Sequence, residues 1–118
     1  RPLAGRSILI VEDEMLLALE LQVLLEGEAC AIIGPVATVD HALDVLSTHR
    51  PDAATLDLNL SGEHSAAVAG ALAALSIPFI VTTGYRGIPT EPEFGAAPLV
   101  KKPLDMADLL EKLAGFFE

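Results

Sequence analysis

The sequence predicts an α/β domain built on a doubly wound parallel sheet, and three observations carry that expectation. Short apolar runs alternate with longer segments of helical periodicity, the pattern of parallel strands joined by crossover helices. The runs are continuously apolar at their centres, Ile8 to Val11 and Phe79 to Val81 among them, as strands covered on both faces must be. Four of the runs end on polar or charged residues: Glu12-Asp13, Asp57, Thr83 and Lys102. In such sheets ligand chemistry gathers beyond the carboxyl ends of the strands.

Taken in order, residues 1–6 read as a linker or frayed end and residues 7–118 as the domain. Ser7 to Glu12 is the first strand. Asp13 is placed to cap a helix over roughly 14–26, which Gly27 ends in the favoured C′ position. Cys30 to Ile33 is the second strand, stopped by Gly34-Pro35. Thr38 caps a helix over about 39–49, with Asp40 in its first turn and Pro51 closing it. Ala53 to Asp57 is the third strand, followed by a loop from Leu58 to His64 and an alanine-rich helix from about Ser65 to Leu75. Ile77 to Thr82 and Ala97 to Val100 are the fourth and fifth strands. Met106 to Phe117 is the last helix, with Leu109, Leu110, Leu113, Phe116 and Phe117 at helical spacing. One helix is missing from the pattern. Residues 86–98 hold three prolines and two glycines in thirteen positions, which forbids a regular helix longer than about one turn. The segment reads as a loop or mobile stretch.

Composition narrows the function. With 118 residues, 52% hydrophobic and 20% charged, the chain has the size and the apolar content of one domain. No run reaches the roughly 18 apolar residues of a membrane span, and Arg1 to Arg6 lacks the apolar region of a signal peptide; a soluble, cytoplasmic protein is expected. Cys30 is the single cysteine, which suits a reducing compartment. The net charge of −10, from 17 acids against 7 Lys and Arg, argues against direct nucleic-acid binding, which needs clustered cations. The first residue is Arg, so a trimmed chain or one domain of a longer protein is expected.

Three acids, a hydroxyl and an ammonium meeting at one sheet edge describe a divalent-cation and phosphoryl site. Each piece alone has a plain alternative: Glu12-Asp13 as a helix cap, Asp57 as a strand-end acid, Thr83 as a β-former, Lys102 as a solvated cation. Together they conflict, because uncompensated carboxylates clustered at a buried edge repel one another. Mg²⁺ removes the conflict, since it prefers oxygen ligands, takes one or two carboxylates and keeps waters that a phosphoryl group can replace.

From Ser7 to Phe117 the chain resembles the receiver domain of two-component response regulators. The matching motifs are Ile8-Leu9-Ile10-Val11-Glu12-Asp13-Glu14, Asp52-Ala53-Ala54-Thr55-Leu56-Asp57-Leu58-Asn59-Leu60-Ser61-Gly62, Ile77-Pro78-Phe79-Ile80-Val81-Thr82-Thr83-Gly84-Tyr85 and Leu99-Val100-Lys101-Lys102-Pro103. The resemblance implies a flavodoxin-like (βα)5 sandwich with strand order 2-1-3-4-5. It implies that Asp57 accepts a phosphoryl group from a histidine kinase or a histidine phosphotransfer domain. It also implies Mg²⁺ (or Mn²⁺) held by Asp13, Asp57 and the backbone carbonyl of Asn59, with Glu12 acting through bound water. Lys102 and Thr83 would serve the phosphoryl oxygens, and a cis bond before Pro103 would aim Lys102 inward. A weak homodimer is a further association the family allows.

The departures are equally specific. The position three residues before the lysine, where the family usually carries a switch aromatic, is Leu99. Thr83-Gly84-Tyr85 and the proline-broken stretch resemble the subgroup named for its Phe-Ala-Thr-Gly-x-Tyr motif, with Val81-Thr82 in place of Phe-Ala. In that subgroup the fourth helix is short or disordered and the kinases are often of the HWE type. Ordering of residues 86–96 would then replace the swing of an aromatic, and Tyr85 would tune how long the acyl phosphate lasts. In the first helix Leu17, Leu21 and Leu24 can face the sheet, leaving Met15, Leu16, Leu19 and Val23 partly outward, either as scattered surface hydrophobics or as a docking strip for a kinase helical bundle. His41, His49 and His64 lack a partner at metal-ligand spacing and read as surface residues. An aspartyl-nucleophile Mg²⁺ phosphatase is the alternative enzyme, but Asn59 stands where that chemistry wants a second acid. A dinucleotide-binding domain lacks its glycine-rich turn. A receiver-like interaction module independent of phosphorylation is the remaining alternative. The leading expectation is a signalling switch and not an enzyme, although it promotes its own phosphorylation.

Overall fold

The structure is a computed structural model that describes residues 2–84 and 88–118. In chain order its elements are β1 (Ser7–Val11), α1 (Met15–Gly27), β2 (Ala31–Val36), α2 (Val39–Leu46), β3 (Ala53–Asp57), β4 (Asn59–Leu60), β5 (Glu63–His64), α3 (Ala66–Ala74), β6 (Phe79–Thr83), a 3₁₀ turn (Pro92–Phe94), β7 (Leu99–Lys101) and α4 (Met106–Gly115). Five strands form one sheet in the order β2-β1-β3-β6-β7, with every neighbouring pair parallel. Counting only those five, this is the expected order 2-1-3-4-5.

Side chains alternate across a strand, and here that alternation fills two cores. Leu9, Val11, Ala54, Leu56, Phe79 and Val81 pack with Ala42, Leu46, Val68 and Leu72 from α2 and α3. Ile8, Ile10, Ala53, Ile80 and Val100 pack with Leu21, Leu25, Leu109 and Leu113 from α1 and α4. Burial on both faces explains why the strands carry no polar residue at their centres apart from Thr55. The same alternation carries Glu12, Asp57 and Lys102 onto the α1 and α4 side as each strand runs out. Position is thus inherited from register.

Several local expectations need correction. The second strand does not stop at Gly34-Pro35 but runs through it to Val36, with a bulge where Leu9 to Val11 faces Ile33 to Val36. Proline is tolerated because β2 lies at the sheet edge; the Gly34-Pro35 bond is cis. Gly34 has φ +92°, and a Cβ there would meet Val36 N at 2.8 Å and Ile10 O at 3.0 Å, so glycine is required. Glu14, not Asp13, occupies the N-cap of α1. Gly27 remains helical, and the left-handed residue beyond it is Ala29, with φ 64°. Thr38 does cap α2, its Oγ1 accepting from His41 N at 3.1 Å, but the helix ends at Leu46.

The stretch from Leu58 to His64 is not a plain loop. Asn59–Leu60 pairs antiparallel with Glu63–His64 around Ser61 (φ 53°) and Gly62 (φ 85°), the two positive values that a tight hairpin turn demands. Before β1, where a linker or frayed end was expected, Leu3 is buried and the Arg6 guanidinium lies 4.3 Å from the centre of the Phe117 ring. Between Gly84 and Leu99 the helical element among the described residues is the 3₁₀ turn, in line with a reduced fourth helix. That turn is anchored: Phe94 is 3% exposed and belongs to the α2–α3 core. The roles expected of Tyr85, and of 86 and 87 in an ordering segment, lie outside the described residues.

Candidate functional site

Asp57 ends β3 and Glu12 follows β1, its immediate neighbour in the sheet. Both side chains are buried, at 4% and 2% exposure, which is unusual for carboxylates without a partner. Their partner is Lys102, just past β7. Its Nζ donates to Asp57 Oδ2 at 2.9 Å and to Glu12 Oε2 at 3.2 Å, and lies 3.9 Å from Glu14 Oε2. The backbone aims it: Lys102 N donates to Thr83 O at 2.7 Å, and the Lys102-Pro103 bond is cis as expected.

Asp13 completes the acid cluster. One oxygen each from Glu12, Asp13 and Asp57 lie within 4.8 Å of one another. The β4–β5 hairpin supplies backbone donors to two of them: Asn59 N donates to Asp57 Oδ1 at 3.2 Å, and Ser61 N to Asp13 Oδ2 at 2.8 Å. Beneath the site Ser65, fully buried, donates its Oγ to the main-chain carbonyls of Asp57 and Leu58. Thr83 is buried, with its Oγ1 donating to Gly84 O at 3.1 Å.

One ammonium cannot balance three carboxylates, and the titration behaviour reflects that. Burial, reinforced by hydrogen bonding to Asp57 and by its charge, pushes Glu12 up to about 7, against the opposing pull of Glu14 N–H and Lys102. For Lys102, burial disfavours the ammonium, but Asp57 and Glu12 outweigh it and hold its pKa above the ordinary lysine value. Burial would also raise Asp13, yet the Ser61 N–H and hydrogen bonding to Asp57 hold it below the usual carboxylate range. Among the described residues, Glu12 Oε1 is a buried oxygen without a hydrogen-bond partner. An all-oxygen acidic set with excess negative charge and an orphaned carboxylate oxygen fits a hard divalent cation. The donor set therefore suits Mg²⁺.

Of the residues singled out in the sequence, Glu12, Asp13, Asp57 and Lys102 come together, Asn59 joins through its backbone, and Thr83 stands at the neighbouring strand end. Sequence reasoning missed Ser61, Ser65, Glu14 and the contact between His64 and Glu91. Only Ser61-Gly62 carried a signal, as a turn dipeptide. Two clefts of about 440 Å³ flank the start of α1, one lined by Glu14, Leu17, Lys102, Leu104 and Met106 among others, the second by Glu12, Asp13, Met15, Leu19 and Pro35 among others. On the outer face of α1, Met15, Leu16, Leu19 and Val23 are exposed as expected.

Comparison with known proteins gives a consistent result. A family model described as the response regulator receiver domain matches residues 8–114. The solution structure of SdrG from Sphingomonas melonis Fr1 is similar with a TM-score of 0.83 at 39% identity, covering 100% of this chain and 99% of that one. The phyllosphere-induced regulator PhyR of Methylorubrum extorquens is 34% identical over 111 residues, 87% of this chain and 40% of that protein. The sensory transduction protein LytT of Bacillus cereus is 33% identical over 111 residues, 91% of this chain and 45% of that protein. The chain thus spans about half or less of the length of these curated relatives. No helix among the described residues is long and apolar enough to cross a membrane.

Proposed function

The chain belongs to the response regulator receiver domain family, and from that premise we propose that Asp57 is its phosphoacceptor and residues 7–118 the unit that switches. The observation that carries this reading is the pairing of the buried Asp57 carboxylate with Lys102 at 2.9 Å, beside Glu12 and Asp13. An Asp57 oxygen attacks the phosphorus of a phosphohistidine, the P–N bond breaks, and the imidazole leaves with the electron pair and takes up a proton. Asp13, Asp57 and the Asn59 carbonyl are the groups to hold Mg²⁺ or Mn²⁺, with Glu12 acting through water. When bound, the cation screens the negative charge of nucleophile and phosphoryl oxygens.

Lys102 passes from Asp57 Oδ2 to a phosphoryl oxygen, keeping a positive charge where negative charge accumulates. Thr83 turns its hydroxyl from the Gly84 carbonyl toward the same group. A change of hydrogen-bond partner is the small event that a bistable surface amplifies. Leu99 leaves no aromatic to rotate on β7, so the surface over 83–102 is the part that responds. The donor is a histidine kinase or a histidine phosphotransfer domain; the reduced fourth helix and Thr83-Gly84 favour a kinase of the HWE type. The exposed Met15, Leu16, Leu19 and Val23 beside the acids offer its bundle a docking strip. The chain is a switch, not a turnover enzyme, and works in the cytoplasm.

The test is incubation with acetyl phosphate and Mg²⁺, followed by intact mass. One phosphoryl adduct is expected on the wild type and none on Asp57→Asn. An adduct of equal yield on the variant would reject Asp57 as the acceptor.

A further inference from the structure

The β4–β5 hairpin is the piece of chain that presents backbone donors to both Asp57 and Asp13, yet it consists of two residue pairs and its strands are largely exposed. A ribbon that short has little stability of its own. Its inner end is fixed by Ser65. Among the described residues, its outer strand makes one long-range side-chain hydrogen bond: His64 Nδ1 lies 2.7 Å from Glu91 Oε2. Glu91 belongs to the segment between Gly84 and Leu99, and directly precedes the 3₁₀ turn whose Phe94 is buried in the core. The other oxygen of Glu91 faces Thr90 N at 3.4 Å, and the His64 hydrogen bond holds the Glu91 carboxyl below its usual range.

We infer that His64 and Glu91 form a clasp that positions the hairpin against the acids and joins it to the 88–94 segment, so that filling the acid site and ordering that segment favour each other. This rests on the acceptor reading for its consequence, but the clasp itself is a property of the chain without ligand. His64 pairs across the hairpin with Asn59, whose N–H holds Asp57 Oδ1. Glu91 leads into Phe94, which is held by the core. Between the nucleophile and the core there is thus a continuous route: Asp57, Asn59, His64, Glu91, Phe94. It supplies a mechanical path on the side of the molecule where Leu99 offers no aromatic relay. Coupling of this kind is reciprocal, and because the pair is exposed it is modest.

The test uses His64→Ala, Glu91→Ala and the double variant, neither residue being a ligand or a reacting group. In metal-free protein, amide exchange at Ser61 and at residues 93–95 is expected to rise several-fold in each single variant, and no further in the double. Mg²⁺ titration followed by calorimetry is expected to show affinity about threefold weaker in each variant, again without addition in the double. In the wild type Mg²⁺ should slow exchange at 93–95, and the variants should lose that protection. Unchanged metal-free exchange in both single variants, or fully additive effects in the double, overturns the clasp. A wild type that binds no Mg²⁺ rejects the metal site while the metal-free exchange still decides the clasp.

Discussion

The crowding of three carboxylates around one ammonium makes the stability of the metal-free protein fall as pH rises, and Glu12 is the residue to measure. Its carboxyl titrates near 7 in the folded chain against 4.5 for the free side chain. Between those values the folded state holds a proton that the unfolded state has released, so the contribution of Glu12 to stability is fullest below about pH 4.5 and is lost through about pH 7. At 1.36 kcal/mol per unit, the shift sets a ceiling of about 3 kcal/mol; solvent screening at the mouth of the site brings the expected loss to about 1–2 kcal/mol. Other acids repel as well in a chain of net charge −10, so the wild type alone is not decisive. The comparison is with Glu12→Gln, which has no proton to lose. Urea midpoints measured from pH 5 to pH 8 should fall more steeply in the wild type than in the variant. Mg²⁺ should restore stability at pH 8, by about 2.7 kcal/mol at a hundred times its Kd, and much less at pH 5. Parallel profiles for the two proteins would refute the reasoning.

Replacing Lys102 by Met removes the one cation that the described residues bring to the acids. Metal-free stability should drop by about 1–3 kcal/mol while Mg²⁺ binds at least as tightly as to the wild type, and calorimetry with urea titration reads both. Phe94→Ala should destabilise by about 3 kcal/mol or more and speed amide exchange at residues 93–95 beyond that of the clasp variants. Gly34→Ala should lower the urea midpoint by about 2 kcal/mol equivalent, because its methyl would lie 2.8 Å from Val36 N; a neutral result would contradict the bulge. Leu16→Ser with Leu19→Ser should slow phosphotransfer from a histidine kinase several-fold and leave reaction with acetyl phosphate intact. Equal loss in both assays would remove the docking strip.

The strand ends are legible because burial on both faces forces apolar runs, so charged residues at or just past the end of each run stand out. Glu12, Asp57 and Lys102 are therefore visible as a set in the sequence alone. Asp13 was visible as a member but misjudged as a cap, since sequence cannot say that Ser61 N–H competes for its carboxylate. The strand through Gly34-Pro35 was missed because the edge position that tolerates proline is a property of the sheet, not of the dipeptide. The β4–β5 hairpin is too short for alternation to register, and Ser65 looks like any helix-capping serine until its contact with the Asp57 carbonyl is seen. His64 and Glu91 lie 27 residues apart; only the fold brings them together.

The helix Ala66–Ala74 is nearly all small residues, and at Gly70 an added methyl would sit 3.3 Å from the Glu93 side chain. The neighbouring turn thus rests on a bare patch of backbone. Bulk added at that seam has to be met by movement of the Glu93 side chain, so the gap between helix and turn is set by what residue 70 lacks.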